Sequence, residues 1–378
     1  MKVAFLVKRA AAILLVWFWG TSSTLHGAAA NPELLKAKRE AEAKGYIFLT
    51  SHNEIIAEAK KEGKLRVLSG LDSMKSMREA FVKRYPFIDV YVEEITGTDA
   101  GQRFVMEVKT NAVRDWDVIH VTSDFYNEFP PYLRKFDLLG MAQQGILNIP
   151  VGMVDPRNRT VVALTSSVTV VAYNRILISS EKVPGQWEDF LKPEFKGKKF
   201  VADVRPLGLR GLMPLMGSDW VLNFCRKLAA QEPVWVSGQT RGLASMAAGE
   251  YPLFAGVNYH STMRAMKKNP MGNLQMKLVE PVPVRVSATE GIINNARNPY
   301  TALLWLEFEG SPEGQEVIDK HEPLKSSLYS RGSSVENLIS GKKLSVLDWD
   351  HFANSPEWMG KIVEAFGFPK AEDARPNR

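Results

Sequence analysis

The sequence predicts an α/β protein of two lobes, and three observations carry that expectation. Apolar β-branched runs, polar loops and amphipathic helices alternate three times between Leu65 and Asp124, the pattern of a parallel sheet flanked by helices. A second alternation starts at the run Val168-Thr169-Val170-Val171-Ala172-Tyr173-Asn174 and continues to about Pro281. Between and after these tracts lie an irregular stretch, Pro150 to Ser167, and a run that reads as a return strand, Pro281 to Ser287.

The elements follow in order. Asn53 suits the cap of a helix over Glu54 to Glu62, with Ile55, Ile56 and Ala59 on one side and Gly63 ending it. Leu65 to Leu68 reads as the first strand and Ser69 to Ser73 as the loop after it. Met74, Met77, Phe81 and Tyr85 then recur at helical spacing up to Pro86. Asp89 to Ile95 is the second strand. Thr96 to Asp99 opens a helix carrying Phe104, Val105 and Val108, and Asp117 to Val121 is the third strand, followed by Thr122, Ser123 and Asp124.

In the second tract, the strand ending at Asn174 leads to a short helix around Trp187 and Phe190 that Pro193 and Gly197 end, and then to a strand over Lys199 to Val204. Gly208, Gly211, Pro214 and Gly217 punctuate the approach to an apolar helix with Trp220, Leu222, Phe224 and Leu228. Asn298 and Pro299 begin another helix with Ala302, Leu303, Leu306 and Phe308, and Ser311-Pro312 begins the next. No fixed-period repeat and no low-complexity tract occurs. The charged tail after Phe368 reads as frayed.

The first 30 residues have the order of a cleaved export signal. Lys2, Lys8 and Arg9 precede the apolar run Ala10 to Trp19, and Ala28-Ala29-Ala30 precede Asn31-Pro32. The run is shorter than the roughly 18 residues a bilayer span requires. Removing the signal takes three positive charges from a formal +6 and leaves +3. That balance, with no basic stripe, gives no footing for nucleic acid. A single cysteine, Cys225, excludes an internal disulfide, so the mature chain must rely on its cores, for which about 348 residues suffice.

Several segments together resemble one family. Tyr173-Asn174, Pro184 to Leu191 with Trp187 and Asp189, and Pro193-Glu194-Phe195-Lys196-Gly197-Lys198 are similar to a signature of bacterial periplasmic solute-binding proteins of ABC importers, in the family-1, ferric-ion-binding-like branch. Asn298-Pro299-Tyr300 with Phe308 to Gln315, and Met246 to Glu250 with Asn258-Tyr259-His260, resemble further motifs of that group. The resemblance spans essentially the whole mature chain. It implies the type II periplasmic binding protein fold, two α/β lobes joined by crossing hinge strands. Lobe 1 is expected over 31–167 plus 282–378 and lobe 2 over 168–281, after a signal peptide over 1–30. It further implies a periplasmic protein that captures a small-molecule solute and passes it to an inner-membrane ABC permease, working as a monomer, with no cofactor and no catalytic role.

Ligands of open parallel sheets bind beyond the carboxyl ends of the strands. Three loops lie there in the first tract, offering Ser69, Asp72 and Ser73, then Thr98, then Thr122 and Ser123. Such residues also cap helices without any ligand. From the second tract Arg205 follows a strand, with a planar fork of donors suited to carboxylate or phosphate. Tyr259 and His260 follow the apolar run Leu253 to Val257. The resemblance to ferric relatives implies two adjacent tyrosines as iron ligands, and only Tyr259 matches, with His260 in the second place. Neutral imidazole serves a trivalent hard ion less well than phenolate. A small organic anion or oxyanion is therefore expected in preference to ferric iron, and no metal site is expected. The mature histidines lack metal-site spacing. A periplasmic sensor and an enzyme on the same fold are the competing classes. Against the enzyme, Cys225 sits among apolar helix residues, and no nucleophile-elbow, dinucleotide or phosphate-loop motif occurs.

Overall fold

Ten strands run through the residues described by the computed structural model. These are 31–368 except 96–97, 111, 114, 122 and 322–324, with the backbone alone for 98–102 and 123–125. The expected export signal over 1–30 and the tail beyond Phe368 lie outside the described residues. The strands are β1 (Lys64–Ser69), β2 (Asp89–Glu94), β3 (Val118–Val121), β4 (Val161–Asn174), β5 (Val201–Asp203), β6 (Val234–Val236), β7 (Leu253–Asn258), β8 (Leu274–Lys277), β9 (Val282–Ile292) and β10 (Leu344–Leu347).

The alternation read from the sequence produces the expected parallel pairs. β1 lies between β2 and β3, parallel to both, and β5 lies between β6 and β7, parallel to both. Two long antiparallel strands join these groups into the order β2-β1-β3-β9-β4-β7-β5-β6, with β10 also on β9 and β8 also on β4. β4 changes partners in mid-course. Val161 to Val168 pair with β9, and from Thr169 onward the strand pairs with β7 and β8. This is a mixed α/β fold with a large sheet. Thirteen of the 14 residues of β4 are buried, as expected of a strand covered on both faces.

The irregular stretch expected before Val168 is half wrong, because Val161 to Ser167 is strand. Polar Thr165-Ser166-Ser167 disguises it. The pairing with β9 supplies the backbone partners, and Thr165 Oγ1 meets Ser287 Oγ at 2.9 Å across the ladder. The cap expected at Asn53 also moves. The helix is His52–Glu62 and Ser51 caps it, its side chain accepting from the Asn53 N–H, while Gly63 ends it at φ 63°.

Core packing follows the apolar periodicity. Phe81 of the helix Met74–Arg84 stacks edge-on against Trp305 and Phe308 of the helix Pro299–Gly310, which is buried on almost every side. In the second tract Trp187, Phe190, Phe195 and Phe200 form one cluster with Cys225 and Leu228. Trp187 donates its indole N–H to the Pro281 carbonyl at 3.1 Å, tying the Trp187 turn to the start of β9. Ile362 and Phe366, in and just after the helix Ser355–Ala365, join that same cluster, so the C-terminal helix packs on the second tract. Among the described residues no helix is long and apolar enough to cross a membrane.

Candidate functional site

The carboxyl ends of β1 and β3 on one side, and of β5 and β7 on the other, bring the two tracts within bonding distance. Asp72, in the loop after β1, accepts from Arg264 Nη1 at 2.8 Å. Arg264 belongs to the helix Tyr259–Lys268, which starts directly after β7. An ion pair therefore spans the junction between the lobes.

The loops and helices at these strand ends also carry buried polar atoms without a partner among the described residues. Ser73 is buried and sits in the cap position of the helix Met74–Arg84, yet it makes no capping hydrogen bond, and its Oγ has no partner among the described residues. His260, in the first turn of its helix, is buried with Nδ1 unpartnered. Asn258 Oδ1, Gln239 Nε2 and Asp203 Oδ2 are in the same condition on the second lobe. A buried polar atom without a partner costs about 1–3 kcal/mol, so each of these is a position that a bound group would stabilise.

The electrostatics point the same way. Burial drives the His260 pKa well below its ordinary value, and the cations Lys325, Arg264 and Arg285 add to that effect. These come from three separate segments: the chain just before Ser326, the Tyr259–Lys268 helix, and β9. His120 on β3 is likewise pushed down, to about 4, by burial first and Lys325 second, against a hydrogen bond with the Thr289 backbone. Both imidazoles are held neutral at pH 7 in a positive environment.

The residues expected from sequence have different fates. Ser69 is turned inward: its hydroxyl donates to Glu290 Oε1 and accepts from the Leu71 N–H at 3.2 Å. Asp72 faces the other lobe through Arg264. Thr98 opens the helix Thr98–Lys109 and Ser123 opens a short 3-10 helix, but their side chains, and all of Thr122, lie outside the described residues. Arg205 is exposed, with its N–H donating to Asp203 Oδ1 at 3.0 Å, and is not among the cations acting on His260. Tyr259 is half-buried against apolar clusters that include Val168, Val282 and Val284, and burial raises its pKa. That environment disfavours the phenolate an iron site needs.

Arg264, Arg285, Lys325 and His120 are the residues that sequence reasoning missed. His120 left one readable trace, a polar interruption in Val118-Ile119-His120-Val121. The other three look like ordinary solvated charges in sequence. No group of three or more His, Cys, Asp or Glu side chains able to hold a metal gathers among the described residues.

The fold has solved counterparts. Apo ferric ion-binding protein A of Pasteurella haemolytica superposes with a TM-score of 0.63 at 17% identity, over 82% of this chain and 99% of that one. The Trichodesmium protein IdiA (FutA), solved with iron and citrate, gives 0.61 at 17%, over 81% and 100%. The substrate-binding protein of an ABC transporter from Agrobacterium tumefaciens gives 0.61 at 18%, over 80% and 94%. At such identities the likeness shows the fold, that of the type II periplasmic binding proteins. No curated protein sequence matches this chain. Residues 125–355, more than half of the sequence, match the family described as bacterial extracellular solute-binding protein, and the chain belongs to that family.

Proposed function

We propose that this protein is the periplasmic receptor of an ABC uptake system, that its solute is a small organic anion or oxyanion, and that the solute sits between the two lobes. The lobes are read as 31–167 plus 282–378 and 168–281, with the C-terminal helix returning to the second. Family membership supports a solute-binding role, and delivery to an inner-membrane permease is the task such a receptor serves. The single observation carrying the anionic solute is the buried His260, whose Nδ1 has no partner among the described residues and on which the charges of Lys325, Arg264 and Arg285 act. Cations gathered at the junction favour an anion over a bare metal cation.

β4 and β9 supply the hinge. Each runs through the junction, and a small change of backbone angle near Val168 or Ser287 would swing one lobe against the other. The Asp72–Arg264 pair then acts as a latch of the closed form. Cys225 is buried, and burial pushes its thiol up to about 12, so it is read as core packing and no catalytic role is assigned.

Titration calorimetry tests the reading. The mature protein, Arg285→Ala and Tyr259→Phe are titrated with citrate, succinate, inorganic phosphate, methylphosphonate and ferric citrate. An iron-free anion of this panel should bind wild type, and Arg285→Ala should weaken it roughly 30-fold or more, since a ligand charge loses its partner in a closed cleft. Tyr259→Phe should change little. Coloured iron binding that needs Tyr259 and ignores Arg285 overturns the anionic reading in favour of ferric transport.

A further inference from the structure

His120 and His260 stand on opposite sides of the junction, and their surroundings agree in three respects. Each ring is enclosed. His120 lies so close to the loop after β1 that a side-chain carbon on Gly70 would come within 2.9 Å of its Cε1 and Nε2, and His260 is 6% exposed. Each has an Nδ1 with no hydrogen-bond partner among the described residues. Each feels the charge of Lys325.

Lys325 itself is anchored at the floor of the junction. Its N–H donates to Asp319 Oδ1 at 3.0 Å, and its carbonyl accepts from the Ser166 N–H of β4 at 3.2 Å. Its charge acts on both rings. The other charged or titratable groups around the rings are Arg285 of β9, Arg264 on the helix of His260, Asp72, which is paired with Arg264, and Glu290, opposite His120 in the β3–β9 ladder.

A histidine buried only for packing would satisfy its ring nitrogens within the fold. Here one nitrogen of each ring, Nδ1, has no partner among the described residues, and the two rings are linked by geometry: His120 abuts Gly70 in the loop whose Asp72 binds Arg264, one turn along the helix from His260. We propose that His120, His260 and Lys325 are the clamp on the anionic group of the solute, one imidazole closing on it from each lobe. This rests on the anion-receptor reading above and names the residues that determine its specificity. An oxyanion has lone pairs for an N–H from each ring, and its charge offsets the repulsion Lys325 exerts on protonated imidazole. The clamp is completed only when the lobes meet, which couples recognition to closure. Binding then also draws in protons as the medium is acidified, because an anion beside the rings favours their charged form.

The test uses the mature protein with its histidines labelled with nitrogen-15, and the tightest-binding iron-free anion among citrate, succinate, inorganic phosphate and methylphosphonate. The ring signals of His120 and His260 should both move with the same saturation as the calorimetric heat. Heats measured at pH 6 in buffers of different ionisation enthalpy should show net proton uptake. His120→Gln and His260→Gln should each weaken binding roughly tenfold to a hundredfold, the range for losing a hydrogen bond to a charged group, and the double variant should lose the uptake. Should a variant fail to fold, the wild-type ring signals still decide. An anion that binds wild type while both ring signals stay fixed overturns the clamp and leaves the anion receptor standing. If none of the four anions binds, both readings fall.

Discussion

Glu290→Gln should stabilise this protein in a pH-dependent way, and the structure sets the size of the effect. Glu290 on β9 and Glu309 on the helix Pro299–Gly310 are both fully buried. Ser69 donates to Glu290, while Glu290 Oε2 and both Glu309 carboxyl oxygens have no partner of good geometry among the described residues. Burial raises the Glu290 pKa from an ordinary 4.5 to about 7, and burial together with the neighbouring Glu290 charge raises that of Glu309 well above the same value. A carboxyl that titrates higher in the folded than in the unfolded chain contributes stability below the unfolded value, and that contribution is lost as pH rises towards the folded one. One pKa unit is about 1.4 kcal/mol, so holding Glu290 ionised above pH 7 costs about 3 kcal/mol, and below pH 4.5 it costs nothing. Glutamine is isosteric: its oxygen accepts from Ser69 as before, and its amide can donate to the Glu309 carboxyl. Urea unfolding at pH 4.5 and pH 8, with the slope checked for constancy, should give a variant close to wild type at pH 4.5 and more stable by about 3 kcal/mol at pH 8. A variant no more stable than wild type at pH 8 would refute the idea of a buried, reluctantly ionised pair.

Three further outcomes follow from particular contacts. His120 titrates near 4 instead of its ordinary 6.5; a base held neutral in the fold loses stability as pH falls from 6.5 to 4, by about 3 kcal/mol, and His120→Gln should remove that acid limb in urea unfolding across this range. Arg264→Ala should loosen the closed arrangement by removing the pair with Asp72, a half-exposed contact worth at most about 1 kcal/mol; small-angle scattering should show a larger radius of gyration without ligand, and an unchanged radius would deny the latch. Cys225→Ser should leave anion affinity within about twofold while costing about 1–3 kcal/mol, because a hydroxyl replaces a thiol in an apolar cluster; the native wild-type thiol should resist a thiol-reactive dye until urea exposes it.

Local sequence was enough for those parts of the protein that short-range physics decides. Alternation and apolar spacing placed β1, β2 and β3, the helix over Met74 to Arg84, and the buried face of the helix bearing Cys225, because burial repeats with the period of the element. Gly63 ended a helix where a left-handed residue was needed. The motifs around Trp187 and Asn298 pointed to the family that residues 125–355 match. Tertiary structure decided the rest. The partner switch of β4 at Val168 and Thr169 cannot be read from a continuous apolar run, since each half is buried by strands more than 80 residues further on. Ser69, read as a ligand-facing hydroxyl, is drawn inward by Glu290, a residue 221 positions later. Arg205 sits exposed at a strand end, while the charges of Lys325, Arg264 and Arg285 act on His260 from segments with no shared pattern. Charge and hydroxyl carry no periodicity, so nothing local says which of them will meet. That is settled only when β4 and β9 pair and join the two groups of parallel strands into one sheet.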